Sequence, residues 1–320
     1  MLEIHESSVE EQPVGAPDKP GERVEREFTV KERNQWQLAM RRFFKHRAAA
    51  VSLVVFFLLI IFAFVLPHFW KYNYTEFVSL CRHSDGLLGP CSPSANHPFG
   101  TDSKHDALAV VMRGTGQSLK VAFIIAFGGT GAGAVWGIVA GFFGGIVDSA
   151  LMRLADLVLT IPALALAAAL AHRGGGSLVQ IGLILAAVSA PYVARVVRGV
   201  VLSLREREFI EAARALGASN TRIMLRHLLP NTIPVLIVNA TLLVAAGILL
   251  ETALSYVGFG VQSPDTSLGL LITTAQGAFD TSPWLFYFPG LFIILIALTV
   301  NFIGDGLRDA LDPRQTRERR

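Results

Sequence analysis

Polar side chains inside long apolar runs are where this sequence could do chemistry. Four stand out: Arg153 and Asp156, three residues apart, then Asn239 and Glu251. In a hydrocarbon environment such groups are costly, and by default they mark a route for a solute, an ion or a proton. Each also has a structural reading. Arg153 and Asp156 are spaced to pair on one face of a helix end, and Glu251 can cap or bond neighbouring backbone. Asn239 and Glu251 are the candidates for a pathway or gate.

Hydrolytic and metal chemistry is not signalled. The sequence contains no HExxH and no GxSxG, and its histidines lie mostly outside the apolar runs. Motif spacing therefore assembles neither a metal cluster nor a nucleophile with its base, and no catalytic or metal-ligating residue is expected. The stretch GGTGAG at 128–133 resembles a phosphate-binding loop only superficially. It lacks the following Lys-Ser/Thr and sits inside an apolar run rather than after a strand.

The elements that hold these residues follow from composition. The 320 residues are 52% hydrophobic and 17% charged, with the apolar residues grouped in long blocks between charged loops, which is the composition of a membrane protein. The net charge of +3 comes from basic residues flanking those blocks rather than interleaved with aromatic platforms, so it points to a membrane and not to a nucleic acid. A bilayer core of about 30 Å needs roughly 20 apolar residues per helix. Residues 48–66, 119–143, 151–171, 178–197, 232–257 and 285–303 meet or approach that length. The fold class is an all-α polytopic membrane protein of about six transmembrane helices.

Residues 1–40 mix acids, bases, Pro and Gly and read as a flexible tail. The block within 41–66 starts too late and runs too long for a signal-peptide core, so it is expected to stay as the first transmembrane helix. A loop over 67–117, a five-helix core over 118–308 and a tail over 309–320 complete the organisation.

Basic residues set the orientation, because they accumulate in cytoplasmic loops. Lys31, Arg33, Arg41, Arg42, Lys45 and Arg47 precede the first span. Arg195, Arg198, Arg205, Arg207, Arg214, Arg222 and Arg226 lie around the fourth-to-fifth connection, and Arg308 to Arg320 follow the last span. Six spans put all three groups, and both termini, in the cytoplasm. The stretch 258–283 has no Lys or Arg, only Asp265 and Asp280, as befits an outer loop. The loop over 67–117 falls outside by helix counting. It holds both cysteines, Cys81 and Cys91, which an oxidising exterior would allow to pair, the alternative being two free thiols.

Gly129, Gly133, Gly137, Gly141 and Gly145 recur every fourth residue and form one glycine face on a helix. Such faces let helix backbones approach closely in lipid, where apolar burial gives little drive for association. This helix is expected to pack tightly on a neighbour or a partner subunit.

The most informative segment is REREFIEAARALGASNTRIMLRHLLPN, within the connection 203–230. Residues 206–216 are strong helix formers, with Phe209, Ala213 and Leu216 on one face and charges around them, so they predict a short amphipathic helix. Gly217 is placed to end it. Ser219 or Asn220 can cap a second helix, and Pro230 marks the start of the fifth span. An amphipathic helix lying in the headgroup layer would fit the same periodicity.

Here the sequence resembles the binding-protein-dependent ABC importer permeases. Their signature is EAA, a Gly four residues beyond the last Ala, then Leu-Pro after a fixed gap, matched by Glu211-Ala212-Ala213, Gly217 and Leu229-Pro230. The Arg-His at 226–227 is similar to the oligopeptide/dipeptide branch. So are HPFGTD at 97–102, LSYVGFGVQSPDTSLG at 254–269 and NFIGDGLRDALDPR at 301–314, which resemble its C-type (OppC/DppC-like) subunits. The sequence departs from that branch after HPFGTD, where Ser103-Lys104-His105-Asp106 is shorter and lacks the usual Gly-Arg.

The resemblance implies a type I (MetI-like) permease fold in the cell membrane. It also implies a non-catalytic chain that forms half of a translocation pathway for di- or oligopeptides. In that family the EAA loop docks into a separate ATP-binding subunit, so Glu211, Ala212, Ala213, Gly217, Leu229 and Pro230 would couple this chain to it. The implied partners are a second, OppB/DppB-like permease, two ATP-binding subunits and an extracytoplasmic substrate-binding protein, besides membrane lipid. No cofactor would be bound here, ATP and Mg belonging to the partner subunits. Nickel or another small solute is the alternative cargo within the branch. An ATP-independent secondary transporter and an intramembrane enzyme are the readings outside it; the first has no reason to carry the EAA loop, and the second lacks the motifs it would need.

Overall fold

The computed structural model describes residues 35–82, 88–172, 176–263 and 265–311; of the tails expected over 1–40 and 309–320, the parts 1–34 and 312–320 lie outside them. The chain starts with α1 (Gln35–Lys45) and α2 (Arg47–Ile60), divided at His46, whose Nδ1 accepts the Ala49 N–H and caps α2. Helix thus begins inside the stretch read as a tail to residue 40. α2 holds only apolar and small residues beyond Arg47, and much of its side-chain surface is exposed, as for a helix facing lipid. It runs on through a widened π turn (Ile61–Val65) and a 3₁₀ turn (Leu66–His68).

The long connection that follows is tied down at several points. Strands β1 (Cys81–Arg82) and β2 (Leu88–Gly89) pair antiparallel, and the Cys81 and Cys91 sulfurs are bonded. The Cys91 N–H donates to Thr101 Oγ1 at 2.7 Å, and the Thr101 N–H donates back to Cys91 O. The shortened segment after HPFGTD is a tight turn, in which Asp102 Oδ1 accepts the N–H groups of Lys104 and His105. Asp106 is the hub. Its carboxylate receives the Trp70 indole N–H, meets His97 Nδ1 at 2.7 Å and accepts the Ala109 N–H.

That last bond caps α3 (Ala107–Phe143). The helix therefore begins well before residue 117, where the sequence reading ended the outer loop. Arg113 and Gln117 dilute the apolar pattern of its first turns, but their polar ends reach Asp265 rather than lying in a loop.

α3 packs along α6 (Leu178–Leu204) through the glycine face. A Cβ on Gly133 would lie 2.6 Å from Val193 Cβ. On Gly137 it would lie 2.5 Å from Ala194 O, and on Gly141 2.8 Å from Val201 Cγ1. Gly129 faces Ala186 O in the same way. The neighbour is a helix of the same chain. Gly145 does not belong to the face: α3 stops at Phe143, Gly144 turns the chain at φ 66°, ψ −162°, and Gly145 is exposed with open space where a Cβ would point. Gly144 occupies backbone space open essentially to glycine alone, so the four-residue repeat outruns the helix.

The third span is also broken. Instead of one helix over 151–171, α4 (Gly145–Thr160) and α5 (Ala163–Ala171) meet at 89°. The cause is Pro162, which excludes the preceding residue from the helical region; Ile161 is extended at ψ 131°.

Beyond α6 come α7 (Glu208–Ala215) and α8 (Asn220–Ile223). A π turn (Met224–Leu228) leads from α8 into α9 (Leu229–Tyr256), and α10 (Leu268–Ala275) and α11 (Trp284–Leu311) follow. The π turn immediately precedes Pro230. A proline ring crowds the carbonyl four residues back, and the wider turn, with the Leu229 N–H on Met224 O, makes room for it. α11 packs on α9, α2 and α10 and runs into the stretch read as a tail from 309. Among the described residues five helices are long and apolar enough to span a membrane, or six if the bent α4–α5 pair is counted as one span. The fold is all-α and polytopic, with the main core between α3, α6, α9 and α11.

Candidate functional site

α7 is short, yet its placement is fixed. Ile210 is 0% exposed and belongs to the main core, while Ala213 packs against it half-buried. The Arg214 guanidinium lies over the Phe142 ring at 5.6 Å, and Arg205 Nη1 donates to Gly141 O. Ile210 and Arg214 thus hold α7 to the core and to the end of α3, while Arg205 ties the end of α6 to that of α3. The turn after it is a complete Schellman motif: the Ala218 N–H reaches Ala213 O, the Gly217 N–H reaches Arg214 O, and Gly217 takes φ +76°. Ser219 then caps α8, its hydroxyl accepting the Arg222 N–H.

This geometry corrects the amphipathic face. Of Phe209, Ala213 and Leu216, only Ala213 lies on the buried side. The anchor is Ile210, while Phe209 is 41% and Leu216 88% exposed. Phe209 leans on the His227 ring of the following turn, at 6.4 Å between centroids. Glu211, Ala212 and Gly217 are exposed beside them, Leu229 is half-buried and Pro230 exposed. The result is a small turn anchored by Ile210, whose outer surface combines apolar and charged groups. The helix also starts at Glu208 rather than 206, with Arg207 at its N-cap position.

The charged pairs near this end differ from the expected one. Arg153 and Asp156 do not meet: Arg153 is exposed, and Asp156 pairs with Arg195 of α6. Asp148 binds Arg198 of α6 in a fork, with Nε to Oδ1 and Nη2 to Oδ2 both at 2.5 Å. Three-residue spacing could suggest a pair within α4, but the arginines come from the helix alongside. Asp148 and Arg198 are both half-buried or deeper, and such two-point contacts fix orientation as well as charge.

At the opposite end, Glu251 is 1% exposed. Its carboxylate accepts Ser255 Oγ at 2.8 Å and Ser118 Oγ at 3.4 Å. Ser118 Oγ in turn accepts the Leu268 N–H, and Ser267 caps α10. Close by in sequence, Asp265 bonds Gln117 at 2.8 Å and Arg113 at 3.2 Å. These contacts lash the segment between α9 and α10 to α3. Asn239 is buried and donates to Val235 O of its own helix. Sequence reasoning found Glu251 but not Ser118, Ser267 or Arg113, because Ser267 is a helix cap with no periodic signal and Ser118 and Arg113, inside α3, meet partners more than 130 residues away.

A polytopic helical bundle with buried polar groups towards one end and the exposed α7 turn at the other is the architecture of a multi-pass membrane permease. The chain belongs to the binding-protein-dependent transport system inner membrane components, the permease subunits of ABC importers: that family's model matches residues 133–317. Residues 34–90 match the N-terminal TM domain of oligopeptide transport permease C. The chain is 41% identical to the oligopeptide transport system permease protein OppC of Mycobacterium tuberculosis, over 88% of this chain and 96% of that one. It is 36% identical to the OppC of Haemophilus influenzae, over 93% and 94%. To the dipeptide transport system permease protein DppC of Alkalihalophilus pseudofirmus it is 37% identical, over 87% and 90%. Among solved structures it is similar in fold to a chain of the inward-facing MetNI methionine ABC transporter, with a TM-score of 0.52 and 23% identity over 63% of this chain and 96% of that one.

Proposed function

We propose that this chain supplies half the wall of a peptide-import pathway and takes its drive from a separate ATPase that docks on α7. The observation that carries this reading is the pinned helix itself. Glu211-Ala212-Ala213 and Gly217 sit on a knob held to the core by Ile210, so force applied there reaches α3 and α6 instead of bending a loop. Ala212 permits close approach, Glu211 offers a charge to a basic rim, and Gly217 sets the turn. A few central contacts of this kind dominate an interface, each worth roughly 2 kcal/mol or more. The chain itself is non-catalytic and binds no nucleotide; ATP and Mg act on the partner subunits. A second permease and an extracytoplasmic binding protein complete the importer, with the α7 end and both termini of this chain in the cytoplasm. Di- or oligopeptides are the cargo, by analogy with the named relatives.

The test is co-purification of the tagged chain from its native membrane, with peptide-stimulated ATPase activity as readout. Wild type brings down ATP-binding subunits and a second permease. Glu211→Arg and Gly217→Trp lose or uncouple them, whereas Gly217→Asn, which tolerates the left-handed conformation, keeps them. A chain that imports peptide with no ATPase present would refute the reading.

A further inference from the structure

We infer that the cavity between the end of α2 and the start of α3 binds the phosphate headgroup of an anionic phospholipid in the outer leaflet. The inference rests on the proposed orientation, which places this end of the bundle outside.

The cavity is about 400 Å³, in the range of small-ligand sites. Its polar wall is basic and aromatic: Arg113 and Lys120 of α3, His68 at the end of α2, and Phe64, Tyr72 and Tyr74. No carboxylate lines it. Arg113 and Lys120 are seven residues apart, so they lie on one face of α3, two turns or about 10 Å from each other. Arg113 is partly balanced by Asp265 at 3.2 Å, while its buried Nε lacks a hydrogen-bond partner. Its guanidinium stacks 4.9 Å from the Tyr74 ring centre.

Lys120 has no ion pair among the described residues. It is exposed, and its ammonium turns back towards α2, 5.8 Å from the centre of the Phe64 ring. Lys120 stands at the very start of the apolar stretch that begins at residue 119, and a lysine there carries its charge to the membrane surface along its own stem. Lys120 does so into the cavity. The net uncompensated charge there is therefore positive, held between two cations and an aromatic wall that a phosphate group fits.

The surroundings select a lipid over a free anion. Val65 and Leu66, adjacent to the lining residues Phe64 and Pro67, are exposed, as are Phe57 and Leu58 further along α2. Acyl chains would lie on this apolar flank while the headgroup entered the cavity. Phe69, 81% exposed, and Trp70, Tyr72 and Tyr74 follow directly, an aromatic cluster of the kind found at the membrane–water boundary.

The test uses the full chain purified in mild detergent with its accompanying subunits. Retained lipid is counted by native mass spectrometry after adding phosphatidylglycerol or phosphatidylcholine. Wild type should retain phosphatidylglycerol preferentially. Lys120→Gln should lower that retention about tenfold, the equivalent of one charge-assisted hydrogen bond. Lys104→Gln, an equal loss of charge outside this cavity, should leave it unchanged. Equal retention of the two lipids, or no effect of Lys120→Gln, would overturn the inference. So would displacement of phosphatidylglycerol by millimolar inorganic phosphate, which would make the cavity a free-anion site. Loss of retention with both lysine variants alike would reduce the effect to bulk charge and overturn it too.

Discussion

Gly137→Ala and Gly131→Ala make a matched pair on one helix. Both replace a glycine within α3 by the best helix former, so both gain the same propensity, about 1 kcal/mol in a water-exposed helix. They differ only in what the new methyl meets. At Gly131 there is nothing within 4 Å. At Gly137 the methyl would sit 2.5 Å from Ala194 O, 2.8 Å from Val197 Cβ and 3.0 Å from Arg198 N. Two of those three are backbone atoms of α6 and cannot rotate away. Restoring normal contact requires α3 and α6 to part locally by about 1 Å, a gap that forfeits up to half of each neighbouring dispersion contact. Overpacking of this kind costs roughly 1–3 kcal/mol, and since the propensity gain cancels, that is the expected difference between the two variants. Reversible unfolding in mixed detergent, titrated with sodium dodecyl sulfate and followed by tryptophan fluorescence, measures it. Equal midpoints for the two variants would refute the close seam between α3 and α6.

Two further perturbations probe the polar contacts. Asp148→Asn leaves Arg198 half-buried without its carboxylate and should destabilise by about 1.5–3 kcal/mol; exchanging the charges as Asp148→Arg with Arg198→Asp should recover part of the loss in a double-mutant cycle, and purely additive effects would argue against the pair. Glu251→Gln keeps an acceptor for Ser255 and should nearly preserve stability, whereas Glu251→Ala strands buried hydroxyls and should cost about 1–3 kcal/mol by the same unfolding assay.

The legible parts of this molecule are those that a single helix encodes. The apolar runs gave the spans, the spacing from Glu211-Ala212-Ala213 to Gly217 marked the turn after α7, and Ser219 was one of the two residues expected as a cap. Pro162 was equally legible and was passed over: one proline in an otherwise unbroken apolar run suffices to turn the third span through 89°. The glycine repeat was read one step too far for a related reason. A period of four continues in the sequence whether or not the helix does, and here the backbone at Gly144 ends it.

What escaped the sequence is everything that depends on which helix lies next to which. Asp156 and Arg153 were matched because they are three residues apart, yet Asp156 and Asp148 find their partners on α6, thirty-nine and fifty residues away. Ile210 was missed as the anchor of α7 because a two-turn helix has too few residues to reveal its buried side. Periodicity gave a face containing Phe209 and Leu216, and the end of α3 selected the other. This inversion matters for function. A helix that buried Phe209 and Leu216 would turn Ile210 outwards, whereas α7 buries Ile210 and leaves Phe209, with the adjoining Leu216, outside. Their exposure fits a permease subunit in which the proposed ATPase partner covers α7, and it is this surface, more than the charge pattern around it, that ties the local fold of 208–217 to the proposed work of the chain.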